Sequence, residues 1–229
     1  MEKRELKDLI IAWFVIGLAF ALMLSRLNLR AIAMGYPINF NDFFISLPVS
    51  LIVVGAGFIF HELAHRTVAR KFGYYAGFRA WPNLLLLAVG MALFLGFVFA
   101  APGAVYVGEK RKRKKETVEW SEGYFEEDYS NLNREMGIIS AAGPLTNIIV
   151  AIGFLGIGIV INFSAPLLLG EGMIASMIIG YGITINLFLA LFNLIPFGPF
   201  DGAKVMKWNP GVWGIMFIPL VLWFLGGGF

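Results

Sequence analysis

The chain has 229 residues, 59% of them hydrophobic and 14% charged, with a mean hydropathy of +0.77 and a formal net charge of +3. A soluble domain is roughly 45–50% apolar and about 25% charged, so the composition argues against an ordinary soluble fold and for one membrane-embedded bundle. The absence of cysteine excludes disulfides, thiolate-bound metals and thiol catalysis, and so small a net charge does not point to nucleic acid.

In chain order, a polar start leads into an apolar run over 8–25. No Ala-x-Ala-like cleavage site follows it, so it reads as a first span that is retained. Residues 26–42 carry Arg26, Arg30, Gly35 and Pro37 and read as a loop, with Asn41 or Asp42 capping the next helix. A second span covers 43–66. Residues 66–82 are polar and aromatic and read as a connecting loop. The stretch 84–108 begins as a leucine-rich helix and then passes into Pro, Gly and β-branched residues that favour extended backbone. A polar segment over 109–135 opens with an unbroken basic run from Lys110 to Lys115. Anionic lipid head groups are the expected contact of that run. Three more spans follow at 135–162, 173–195 and 211–228.

These elements predict an all-α polytopic membrane protein: a bundle of about six transmembrane helices with a short re-entrant strand-like segment. It forms a single domain over 1–229 with its core at 43–205. The N-terminus, 66–82 and 109–135 are the basic segments, and placing them in the cytoplasm obeys the positive-inside bias. That placement requires 84–108 to enter and leave on one side. Non-helical backbone at membrane depth is tolerated only against protein or a wet cavity, so a cavity is expected beside 101–107. Arg26 and Arg30, on the outer side, run against the bias. The expected location is the cell membrane, with a cytoplasmic N-terminus and no nucleic-acid partner.

The residues that carry chemistry are His61-Glu62-Leu63-Ala64-His65. On a helix, positions i and i+4 share a face, so both imidazoles can bind one metal ion. Glu62 is then placed to take a proton from an activated water. His61 and His65 are the only two histidines in the chain. They lie in an apolar span, where an ionisable cluster costs several kcal/mol unless it is compensated, and a divalent cation is the natural partner. A catalytic zinc site usually has three protein ligands and one open position. With no further His and no Cys, the third ligand is Asp or Glu. Asp42 is at the wrong end of span 2 and Glu171 lies in a loop on the far side. Asp201 follows span 5 in Asn193-Leu194-Ile195-Pro196-Phe197-Gly198-Pro199-Phe200-Asp201-Gly202, where two prolines break the helix. Asp201 is the expected ligand.

The HExxH-type motif, followed far downstream by Asn193-x-x-Pro196 and Asp201-Gly202, resembles the site-2 protease family of intramembrane zinc metalloproteases. So do Ser140–Asn147 and the Pro102-Gly103-Ala104-Val105 stretch, and the likeness covers roughly 50–205. The resemblance implies one zinc ion held by His61, His65 and Asp201, Glu62 as general base, and cleavage of transmembrane protein substrates. It also implies Asn193 near the reacting carbonyl, where an amide can donate to a developing oxyanion. Freed backbone near Pro196 is the alternative partner for Asn193, and Asn147 can equally bond another helix. No segment has the length of the PDZ domain that many relatives carry. Two other functions fit the residues taken alone: a zinc hydrolase acting on a non-peptide substrate, and a metal transporter or sensor in which Glu62 would itself be a ligand.

Overall fold

A computed structural model describes residues 2–110, 129–164 and 173–227. Helix α1 (Lys3–Leu24) is followed by the short α2 (Leu29–Ala33). Helix α3 (Phe40–Val54), a π-helical turn (Gly55–Ile59) and α4 (Phe60–Lys71) run on without a break. Strand β1 (Tyr74–Ala80), α5 (Pro82–Leu95) and β2 (Gly103–Lys110) come next. Helices α6 (Tyr129–Ser164), α7 (Met173–Asn193), α8 (Asp201–Trp208) and α9 (Pro210–Leu225) complete the described chain.

Four helical stretches are long and apolar enough to cross a membrane: Lys3–Ala33, Phe40–Lys71, Asn131–Asn162 and Ile174–Asn193. In hydrocarbon a helix is favoured because it satisfies all its backbone groups internally. The count of six is not reached among the described residues. Helix α5 has 14 residues and α9 has 16. At about 1.5 Å per residue they reach roughly 21–24 Å, short of a 30 Å hydrocarbon core.

The segment after β1 closes on itself. β1 and β2 pair antiparallel, with Ala80 opposite Gly103 and Phe78 opposite Val105. The Trp81 amide donates to the Pro102 carbonyl at 2.8 Å. Helix α5 ends at Gly96, whose left-handed φ of 64° reverses the chain. Residues 82–102 therefore leave and return at one sheet, as a re-entrant path requires. The β1 strand corrects the expected loop over 66–82: α4 runs to Lys71, and the strand fills the rest. The expected loop over 26–42 contains α2, and the cap of α3 is Asn39, which accepts from the Asn41 amide at 3.0 Å, so neither Asn41 nor Asp42 caps it. The basic positions 111–115 and most of the 109–135 loop lie outside the described residues.

Helix α1 packs on α3 and α5, and α6 on α4, α7 and α8. The main core holds Ile16, Phe20, Val53, Phe58, Phe78 and Phe192 among others. Trp13 Nε1 donates to the Leu51 carbonyl at 2.8 Å, joining α1 to α3 just before the π-helical turn. At the other end of α1, the buried Glu5 takes Arg66 Nε at 2.9 Å and the Phe78 amide at 3.4 Å. That carboxylate ties α1 to α4 and β1 together, one residue past His65. Tyr74 of β1 donates to Glu135 of α6 at 2.6 Å. Burial and this hydrogen-bonded carboxylate push the Tyr74 hydroxyl above its usual range.

Candidate metal centre

His61 and His65 stand one helical turn apart on α4 and are both buried. The π-helical turn directly before them adds a residue to one turn, which rotates their face relative to α3. Asp201 is delivered by a return of the chain. Helix α7 ends at Asn193, the loop passes Pro196, Gly198 (φ 66°) and Pro199, and α8 opens with Asp201. Gly202 makes that return possible: a Cβ there would collide with the Leu194 carbonyl and lie 2.6 Å from that of Ile195.

These three residues converge. His65 Nε2 lies 3.0 Å from His61 Nε2 and 3.0 Å from Asp201 Oδ2, and His61 Nε2 lies 3.4 Å from the same oxygen. Tetrahedral zinc with bonds of about 2.0–2.1 Å sets its ligand atoms roughly 3.3 Å apart. The donor chemistry fits as well as the spacing. His65 Nδ1 faces the Ile139 carbonyl at 2.7 Å, and a carbonyl can only accept, so Nδ1 carries the proton. The lone pair of His65 is then on Nε2, aimed at the cluster. His61 Nδ1 is likewise engaged, with Asn147 Oδ1 at 2.6 Å. Lone pairs and a carboxylate oxygen meeting in a buried pocket repel one another unless a cation stands among them. His61, His65 and Asp201 fit a zinc ion.

Helix α6 leaves room for it. Gly143 faces the pair, and a Cβ at that position would lie 2.6 Å from His61 Nε2 and collide with His65 Nε2. Pro144 follows, so the Ser140 carbonyl loses its helical donor beside the site.

Glu62 is buried and is not one of the three converging groups. It lines both of the small cavities that meet at the cluster. Asn193 lines both as well, and its Nδ2 donates to the Leu189 carbonyl at 2.8 Å. One of its two N–H groups is thus held by its own helix, and among the described residues the other has no partner. Gly103 and Ala104 of β2 line both cavities, and Val105 and Val107 line the second, so the cavity expected beside 101–107 is present. The other edge of the sheet, β1, packs on α4, and Arg70 there donates to the Ala76 carbonyl at 3.2 Å.

The sequence reading brought together His61, Glu62, His65, Asn193 and Asp201, and the fold places all five at these cavities. It missed Asn186, which bonds Asn147 at 3.1 Å and is fully buried. An amide in the middle of an apolar span was the available signal.

The chain is 41% identical to "Putative zinc metalloprotease MJ0611" of Methanocaldococcus jannaschii over 196 residues, which cover 85% of this chain and 88% of that protein. The chain belongs to this zinc metalloprotease family. It is also 31% identical to "Putative zinc metalloprotease YwhC" of Bacillus subtilis, over 70% of this chain and 68% of that one. No family model matches the chain, and no solved structure matches it. Membership and the His61–His65–Asp201 cluster agree on the cofactor, zinc.

Proposed function

We propose that the chain is an intramembrane protease of the site-2 type, cutting peptide bonds within transmembrane segments of other membrane proteins. The observation that carries this reading is the site's address. His61, His65 and Asp201 meet between helices long and apolar enough to span a membrane, with Glu62 buried beside them. A bilayer-embedded hydrolytic site meets substrate that is itself in the bilayer.

Zinc, when bound, supplies a Lewis acid that activates water near neutral pH. The chain's own residues supply the rest. Glu62 takes the proton of the attacking water and delivers it to the departing amide nitrogen. The free N–H of Asn193 donates to the oxygen on which negative charge develops. A transmembrane substrate is helical, with its amides satisfied, and must unwind to expose a carbonyl. The cavity-lining edge of β2 pairs with the unwound segment as an added strand. The N-terminus and the sheet lie on the cytoplasmic side, with the basic segments.

Among the converging ligands Glu62 has no place, which favours a hydrolase over a transporter. The test pairs zinc content with cleavage of a transmembrane substrate in detergent, for the wild type and Glu62→Gln. Zinc in both, with product from the wild type alone, is expected. Zinc lost from the variant would favour the transporter, and no cleavage of several transmembrane substrates by the wild type would favour a non-peptide hydrolase.

A further inference from the structure

A chain of buried amides runs from the metal ligand His61 to the backbone of α7. Asn186 Nδ2 donates to the Gly182 carbonyl at 2.8 Å, Asn147 Nδ2 donates to Asn186 Oδ1 at 3.1 Å, and Asn147 Oδ1 faces His61 Nδ1 at 2.6 Å. Both asparagines are fully buried, so water cannot substitute for a missing partner. The direction of the chain is forced from its far end. The Gly182 carbonyl can only accept, so Asn186 must present Nδ2 to it and Oδ1 to Asn147. Asn147 must then present Nδ2 to Asn186 and Oδ1 to His61. An oxygen facing His61 Nδ1 requires the proton to be there, which leaves the lone pair on Nε2. Gly57, in the π-helical turn, closes over the pair: a Cβ there would lie 2.7 Å from Asn186 Oδ1 and 3.3 Å from Asn147 Nδ2.

We propose that Asn186 on α7, acting through Asn147, is a positioning residue that holds His61 in its Nδ1–H tautomer and so keeps its Nε2 lone pair aimed at the metal position. His65 needs no such relay, because the Ile139 carbonyl meets its Nδ1 directly. Without Asn186, the Asn147 amide is free to turn its Nδ2 toward His61, which then carries its proton on Nε2 and cannot ligate. The inference rests on the metal site and not on a peptide being the substrate.

The chain has only two histidines, so imidazole 15N labelling yields two ring systems and reads each tautomer separately. The experiment uses the full-length, zinc-free protein in detergent at alkaline pH, with zinc affinity measured in parallel by chelator competition. The wild type is expected to show the His61 ring with a proton on Nδ1 and none on Nε2. Asn186→Leu keeps the bulk but not the polarity, so His61 should shift to Nε2–H while His65 stays, and zinc affinity should fall about 10–100-fold. Asn186→Asp, neutral when so buried, still donates to Gly182 through its hydroxyl and accepts from Asn147, so it should retain the wild-type tautomer and affinity. Nε2–H at His61 in the wild type, or Asn186→Leu with unchanged tautomer and affinity, would overturn the proposal. If Asn186→Leu loses the His65 signal too, by misfolding, the other two spectra decide: Nδ1–H in both supports the relay, and Nε2–H in either overturns it.

Discussion

Gly143 of α6 faces His65 of α4 so closely that one added carbon would collide with the imidazole Nε2. The glycine is therefore part of the metal pocket, although it offers no ligand atom. Gly143→Ala places a methyl group against the Nε2 atoms of both His61 and His65. Helix α6 itself should tolerate the change, because alanine is the better helix former by about 1 kcal/mol. The expected result is a folded protein whose zinc affinity falls by about 100-fold or more, beyond the usual effect of a neighbouring residue. Metal analysis after dialysis, with a thermal melt as control, checks it. A Gly143→Ala protein with full zinc occupancy would mean that the pocket opens differently.

The edge of β2 makes a separate prediction. Replacing residues 103–107 with a flexible Gly/Ser segment of equal length removes the strand that lines the cavities but none of the zinc ligands. Cleavage of a transmembrane substrate should be lost while zinc content stays. A short unstructured peptide, which needs no unwinding, should lose far less. Equal retention of both activities would remove β-strand pairing from the mechanism.

Glu5 and Arg66 are 2.9 Å apart, with side chains 6% and 16% exposed. Removing one partner of such a pair leaves the other charge poorly solvated; breaking a fully buried pair costs 3–5 kcal/mol, and the partial exposure of Arg66 reduces this to about 2–3. Glu5→Ala should lower stability by that amount. Arg66→Ala combined with it should cost less than the two single changes summed, which a double-mutant cycle in a denaturant titration detects. Strict additivity would show that the pair is not coupled.

Spacing along one helix and the scarcity of ligand types are legible in the sequence; strand pairing and helix-face contacts are not. His61, Glu62 and His65 share one helix, so their spacing alone fixes their geometry. Asp201 was reached through the scarcity of other ligands and the two prolines that turn the chain back. Strand β1 looks like a loop in the sequence because its partner, β2, lies beyond the whole α5 segment. Its sequence, YYAGFRA, alternates in burial only once that pairing exists. The break of 84–108 into a helix and an extended half is legible from Pro102, Gly103 and the β-branched residues, although the exact stop at Gly96 rests on a left-handed conformation that composition does not reveal. The apolar run of α9 gives no warning that its helix has only 16 residues. Gly143 was visible within a family-like segment, but its role depends on which face of α6 meets α4.

Glu62 is the residue that separates a zinc-binding site from a hydrolytic one. The measurement is bound zinc together with turnover of a transmembrane substrate in Glu62→Gln. The carboxamide is nearly isosteric and Glu62 lies outside the ligand set, so zinc should stay at the wild-type level while cleavage falls by about 10²–10⁴-fold or more. A Glu62→Gln protein that loses its zinc, or one that keeps it and still cleaves at the wild-type rate, would contradict the assignment of Glu62 as the base.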